Sequence, residues 1–147
     1  MKTRQRGRRM LGDERGGSLV EFAIVMPLLF ILLFGIIDFG ILLYNQAVIT
    51  NASREGARYG IVSRSPRRTD EEISSHVRSF CDSNLLKTFG IWTEPTVTPN
   101  HAGGQDFGDP LLVQIQWQHR FLALPNLPGV GLSNPMTISA HTVMNYE

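Results

Sequence analysis

From Leu19 to Leu43 the chain reads LVEFAIVMPLLFILLFGIIDFGILL, and eighteen of these positions are Leu, Ile, Val or Phe. A helix rises about 1.5 Å per residue, so Phe22 to Leu43 alone covers about 33 Å, enough to cross the hydrocarbon core of a bilayer. At about 0.3–0.6 kcal/mol each, the eighteen residues favour insertion by about 5–11 kcal/mol. Asp38 opposes this by about 2.5–3.5 kcal/mol at the bilayer centre and by less near an edge. Insertion wins.

The flanks set the orientation. Lys2, Arg4, Arg6, Arg8, Arg9 and Arg15 precede the run, against Asp13 and Glu14. The positive-inside rule places that end in the cytoplasm and the long C-terminal part outside. Arg54 and Arg58 beyond the run weaken the asymmetry without cancelling it. A secretory signal peptide has an apolar region of about 7–15 residues and a small-residue cleavage site after it. This run is longer, and no A-x-A site follows, which leaves an uncleaved signal anchor as the plain alternative. The formal net charge of +1 and a hydrophobic share of 42% describe an average soluble protein only because the composition is segregated. The expected division is a basic leader over 1–16, a long helix over 17–62 with its membrane span at about 19–43, and an extracytoplasmic headgroup over 63–147.

At the boundary stands Arg15-Gly16-Gly17-Ser18-Leu19-Val20-Glu21-Phe22. A glutamate at the mouth of a membrane helix is costly without a partner. Glycines just before it suit an extended chain lying in a protease cleft. A basic leader, a glycine, four residues, a glutamate and an apolar helix together resemble the class III prepilin peptidase site of type IV pilins. The resemblance to the TadE-like family goes further. Val20-Glu21-Phe22-Ala23 through Pro27-Leu28-Leu29 is similar to the family's opening. Phe34-Gly35-Ile36-Ile37-Asp38-Phe39-Gly40 is similar to its second half, and Asn51-Ala52-Ser53-Arg54-Glu55-Gly56-Ala57-Arg58-Tyr59-Gly60 to its post-membrane stretch. These cover about residues 16–62; beyond Ile61 the likeness is one of layout.

The resemblance implies cleavage between Gly16 and Gly17, which makes Glu21 the fifth residue of the mature chain. The new amino group, with an ordinary pKa near about 8, would be largely charged at neutral pH. In a packed filament the Glu21 carboxylate of one subunit would meet the amine of its neighbour and set their register, each relieving the other's desolvation. The alternative is a glutamate that snorkels at the interface. Pro27 removes a helical hydrogen bond inside the span, where it kinks or locally melts the helix. Asp38 either pairs with another subunit or faces the far interface. The family resemblance implies a minor pilin or pseudopilin of a tight-adherence, Flp-type pilus, held in a bacterial inner membrane. Its partners would be a prepilin peptidase, the inner-membrane assembly platform and other pilins. The competing reading is an uncleaved single-pass protein whose outer domain binds a ligand or partner.

After Leu43 the helix is expected to continue to about Ile61 with a stripe of Tyr44, Ala47, Val48, Asn51, Ala52, Glu55 and Tyr59. Thr69-Asp70-Glu71-Glu72 forms a capping box that opens a second helix through about Leu86, with Ile73, Val77, Phe80 and Leu85 on its buried side. Trp92 to Thr98 is a candidate first strand, and Pro95 marks it as an edge. His101 to Pro110 is rich in turn formers. Val113, Ile115, Trp117, His119 and Phe121 alternate with polar residues as a half-buried strand does. Pro125 to Pro135 is a loop, and Met136, Ile138, Ala140, Thr142 and Met144 mark the last strand. The sum is an α+β, pilin-like fold: a long helix, a second short helix and a small antiparallel sheet.

Little else in the sequence carries chemistry. The lone Cys81 permits neither a disulfide framework nor a four-ligand zinc site within one chain. It is read as a small buried hydrophobe, or else as available to another chain. His76 lies five residues from Cys81 and no orienting partner is evident for a nucleophilic pair. His76, His101, His119 and His141 are dispersed without zinc-ligand spacing. Asp106 and Asp109 read as a turn, and no phosphate-binding glycine loop is present. No catalytic residue, metal, cofactor or nucleic-acid partner is expected.

Overall fold

The computed structural model describes residues 14–86, 93–122 and 134–147. Most of the expected leader, Trp92 and most of the Pro125–Pro135 loop lie outside the described residues. The elements are α1 (Glu14–Ile61), α2 (Asp70–Asn84), β1 (Thr96–His101), β2 (Pro110–His119) and β3 (Met136–Asn145). The architecture is α+β and pilin-like: a long apolar helix, a short second helix and a three-stranded antiparallel sheet in the order β1-β2-β3.

Helix α1 runs unbroken through Pro27 for 48 residues. Arg58 stands in its last turn, where a cation complements the helix dipole. Its two halves live in different surroundings. From Gly17 to Ile37 every side chain is exposed except Phe34 and Gly35, which are half-covered. Among the described residues α1 is the helix long and apolar enough to cross a membrane, and none of its most apolar stretch is buried. A soluble core helix hides its apolar face, so this exposure fits a single-pass membrane protein. At Asp38 the chain changes character. Asp38, Leu42, Asn45, Val48, Ile49, Ala52, Ser53 and Ala57 are buried, so the second half of α1 forms one wall of the headgroup.

That wall is rotated from the expected stripe. Tyr44, Ala47 and Asn51 are exposed, while Asn45, Ile49, Ser53, Gly56 and Gly60 turn inward. Small size decides the orientation. A Cβ at Gly56 would lie 2.4 Å from Val77 Cγ2, and one at Gly60 would lie 2.4 Å from Leu111 Cδ2. The helix therefore approaches α2 and β2 closely at these positions, and a reading by hydropathy undervalues the residues that permit it.

Helix α2 begins with the expected box: Glu72 N–H donates to Thr69 Oγ1 at 3.2 Å, and Thr69 N–H donates to Glu72 Oε2 at 3.0 Å. Its buried line is Ile73, Ser74, Val77 and Cys81, continued by Leu85. Phe80 is half-buried against the same core.

The first strand is shifted from its expected place at Trp92–Thr98: β1 starts after Pro95 and continues through Pro99 to His101. As the outer member of the sheet it tolerates a residue without an N–H. Strand β2 starts at Pro110 and ends at His119, because the hairpin with β1 closes at His101↔Leu111 and the ladder with β3 extends to Pro110↔Asn145. Its buried residues alternate as expected: Leu111, Val113, Ile115, Trp117 and His119 face α1 and α2. The opposite face, with Thr98, Gln116, Gln118 and Ser139, is polar and solvated, as one-sided antiparallel sheets are.

Candidate assembly segment and helix–headgroup junction

Gly16, Gly17 and Glu21 occupy the first two turns of α1. Both glycines are helical, and a Cβ at either would meet nothing within 4 Å. Each glycine holds the helix about 1 kcal/mol less well than alanine, so this turn is easy to unwind. Glu21 is exposed and stands one turn after Gly17, on the same side of the helix. Pro27 follows in the exposed apolar half. Asp38 is 17 residues from Glu21, about 26 Å along the axis, so the two acids sit at opposite ends of the exposed apolar stretch and are not brought together.

The fold gives Asp38 a partner that the sequence did not reveal. Its carboxylate, 1% exposed, accepts the Leu122 backbone N–H at 3.0 and 3.1 Å. The strand end is braced again where Phe121 N–H donates to Asn134 Oδ1 at 3.3 Å. Higher on α1, buried Asn45 accepts the Leu86 N–H at 2.9 Å and donates to the Leu86 carbonyl at 3.3 Å. Ser53 Oγ lies 2.7 Å from Thr142 Oγ1. The polar side chains on this wall thus fasten the ends of α2 and β2, and the middle of β3, to α1. An acid near the end of an apolar run was the available signal. Its partner, a backbone amide 84 positions away, leaves no trace in side-chain patterns.

The far end of the headgroup is tied differently. Tyr146 Oη lies 2.7 Å from His101 Nδ1, and His101 Nε2 lies 2.5 Å from Asp70 Oδ1. Burial pushes the Tyr146 hydroxyl above its ordinary pKa, with the nearby Arg67 guanidinium pulling it down and Asp70 adding to the rise. A Tyr–His–Asp string invites a catalytic reading, but Tyr146 is 2% exposed and the string joins α2, β1 and residue 146 as a brace. Beside it the turn from Asp106 to Asp109 is fixed by the Asp106 N–H donating to Asp109 Oδ2 at 3.0 Å, so the two aspartates do form a turn. Phe107 at its tip is 86% exposed.

Cys81 is fully buried, and burial pushes its thiol up to about 11. His76 stacks on Tyr59 at 4.1 Å rather than facing the thiol. Since the thiolate is the nucleophile, Cys81 is expected to resist a thiol reagent at about pH 8 and to react fully once the headgroup is unfolded. Titration with an aromatic disulfide, with and without guanidinium, checks this; fast labelling of the folded chain would refute the placement. Among the described residues no group of three or more His, Cys, Asp and Glu is arranged to hold a metal.

Residues 16–58 match the family model described as TadE-like protein. This segment is TadE-like. It carries Gly16, Gly17, Glu21, Pro27 and Asp38, and runs on into the wall that holds the headgroup. No curated protein and no solved structure matches the chain.

Proposed function

We propose that this chain is a minor pilin or pseudopilin, an accessory subunit that initiates, caps or decorates a tight-adherence pilus. The observation that carries the reading is the division of α1. Within the TadE-like segment its first half presents apolar side chains that its own fold leaves exposed, and the same helix then becomes the wall of a folded headgroup. Such a half-helix serves first as a membrane anchor and then, once extracted, as packing core among other subunits.

In this reading a prepilin peptidase cuts between Gly16 and Gly17 on the cytoplasmic side of the bacterial inner membrane, after the two glycines unwind locally. The amine left on Gly17 lies one turn from Glu21, and the assembly platform passes the chain to other pilins. There the carboxylate of one subunit meets the amine of the next. Pro27 lets the helix adjust as the bilayer is exchanged for neighbouring helices, since a proline already lacks one ladder bond. The span proper occupies about Ser18 to Ile37, which at about 1.5 Å per residue is close to the 30 Å of a hydrocarbon core.

The test is intact-mass and N-terminal analysis of the protein taken from its own host's membranes, with a Gly16→Leu variant beside it. A mature chain beginning at Gly17, and a variant that keeps its leader, are the expected results. A wild-type chain that retains the leader in a host with active peptidase would instead leave an uncleaved single-pass anchor with an outer binding domain.

A further inference from the structure

His119 is the oddest side chain in the headgroup. It is 1% exposed, on the core side of β2, and among the described residues neither ring nitrogen has a hydrogen-bond partner. Buried polar groups are nearly always paired, so an orphaned imidazole calls for an explanation. Its surroundings are apolar: Phe121 meets it edge-on at 5.1 Å between centroids, Trp117 lies at 5.9 Å, and Met136 is its partner across the ladder on β3. Arg120, next in sequence, lies on the solvent side. From α1 the charged group acting on the ring is Asp38, and the next inward residues of that helix, Leu42 and Asn45, are uncharged.

We propose that His119 and Asp38 make the base of the headgroup an acid-sensitive joint: when His119 takes up a proton, the strand end at Leu122 lets go of α1. A neutral imidazole can sit among Trp117, Phe121 and Met136. An imidazolium is costly there, because it brings two N–H donors and a charge to a place where, among the described residues, neither ring nitrogen has a partner. The charge that acts on it is the Asp38 carboxylate, which already holds the Leu122 N–H. Protonation therefore draws Asp38 away from Leu122 or opens the strand end to solvent, and in both cases the Leu122 amide loses its acceptor.

The sign agrees with this. Burial lowers the His119 pKa from its ordinary value of 6.5, and the field of Asp38 offsets this only in part. Between 6.5 and the lower folded value the unfolded chain binds more protons, so stability is fully present above that window and falls as the pH drops through it. The joint lies beside the membrane exit and does not depend on processing at Gly16.

The full chain in detergent micelles tests it by two readings. The first is the titration of the His119 ring protons by NMR, which should fall below the ordinary histidine value. The second is hydrogen exchange at the Leu122 amide, corrected for its intrinsic pH dependence. Between about pH 7 and pH 5 it should quicken at least about fivefold in the wild type and stay level in His119→Phe. A His119 that titrates at or above the ordinary value would overturn the proposal, since acid would then tighten an Asp38 ion pair. So would an exchange response that is the same in wild type and variant. If His119→Phe does not fold, the wild-type titration decides alone.

Discussion

Alanine in place of Glu21 is expected to leave the protein in the membrane and remove it from the pilus. Losing a carboxylate at the mouth of the span can only ease insertion. The headgroup should not notice either, because α1 begins to pack against it at Asp38, about 26 Å further along. What changes is the amine left by processing. In a bundle of apolar helices a buried charge deprived of its partner costs about 3–5 kcal/mol, or about a 10²–10⁴-fold loss of incorporation. Glu21→Gln should behave like Glu21→Ala, since it keeps the size and removes the charge. The measurement is the ratio of the protein in sheared pili to that in washed membranes, by quantitative mass spectrometry. An unchanged ratio for both variants would end the pairing argument and favour an interfacial glutamate.

Valine at Gly56 is expected to collapse the headgroup while sparing the span. The first carbon of any side chain there would stand 2.4 Å from Val77 Cγ2 and 3.3 Å from Val113 Cγ1, so α1 must retreat from both α2 and β2. Overpacking of this kind costs about 1–3 kcal/mol for modest insertions and more for a branched one. Domains of this size hold together by about 5–15 kcal/mol. Gly56→Ala makes a graded comparison, because about 1 kcal/mol gained in helix propensity offsets part of its clash. Gly35→Val is the control, since nothing lies within 4 Å of its added Cβ. Denaturation followed by tryptophan fluorescence should show a large loss for Gly56→Val, a small one for Gly56→Ala and none for the control. Equal midpoints would mean that the helices are not in close contact.

The elements that were legible were those whose signal is local. The apolar run, the Thr69–Glu72 box and the alternation from Val113 to His119 each declare their structure within a few residues, and each is where it was expected, although the strand begins at Pro110 and stops short of Phe121. The inward face of α1 was not, because Gly56, Gly60 and Ser53 are chosen for the space they leave, while Tyr44 and Ala47 merely look apolar. The shift of β1 past Pro95 had a similar cause: register is fixed by the partner strand, and β2 pairs with Thr96–His101. Within the candidate site, Gly16, Gly17 and Glu21 were readable as a motif. The junction was not. Asp38 lies 84 positions before Leu122, and only folding brings it to the strand end that carries His119 and Leu122.

An unjointed α1 also turns the headgroup into a pointer. The residues that cross the membrane and those that carry the sheet belong to one helix, so the headgroup's bearing is read directly from how the span is seated. Slipping the helix by a single residue would swing the headgroup about 100° around the axis and raise it about 1.5 Å. A neighbour that fixes the span therefore also fixes the direction in which the exposed Phe107 tip faces, with no further contact required of the headgroup itself. On a fibre, every copy seated alike would hold that tip at the same angle to its own span, and choosing the seat would amount to choosing the outward display.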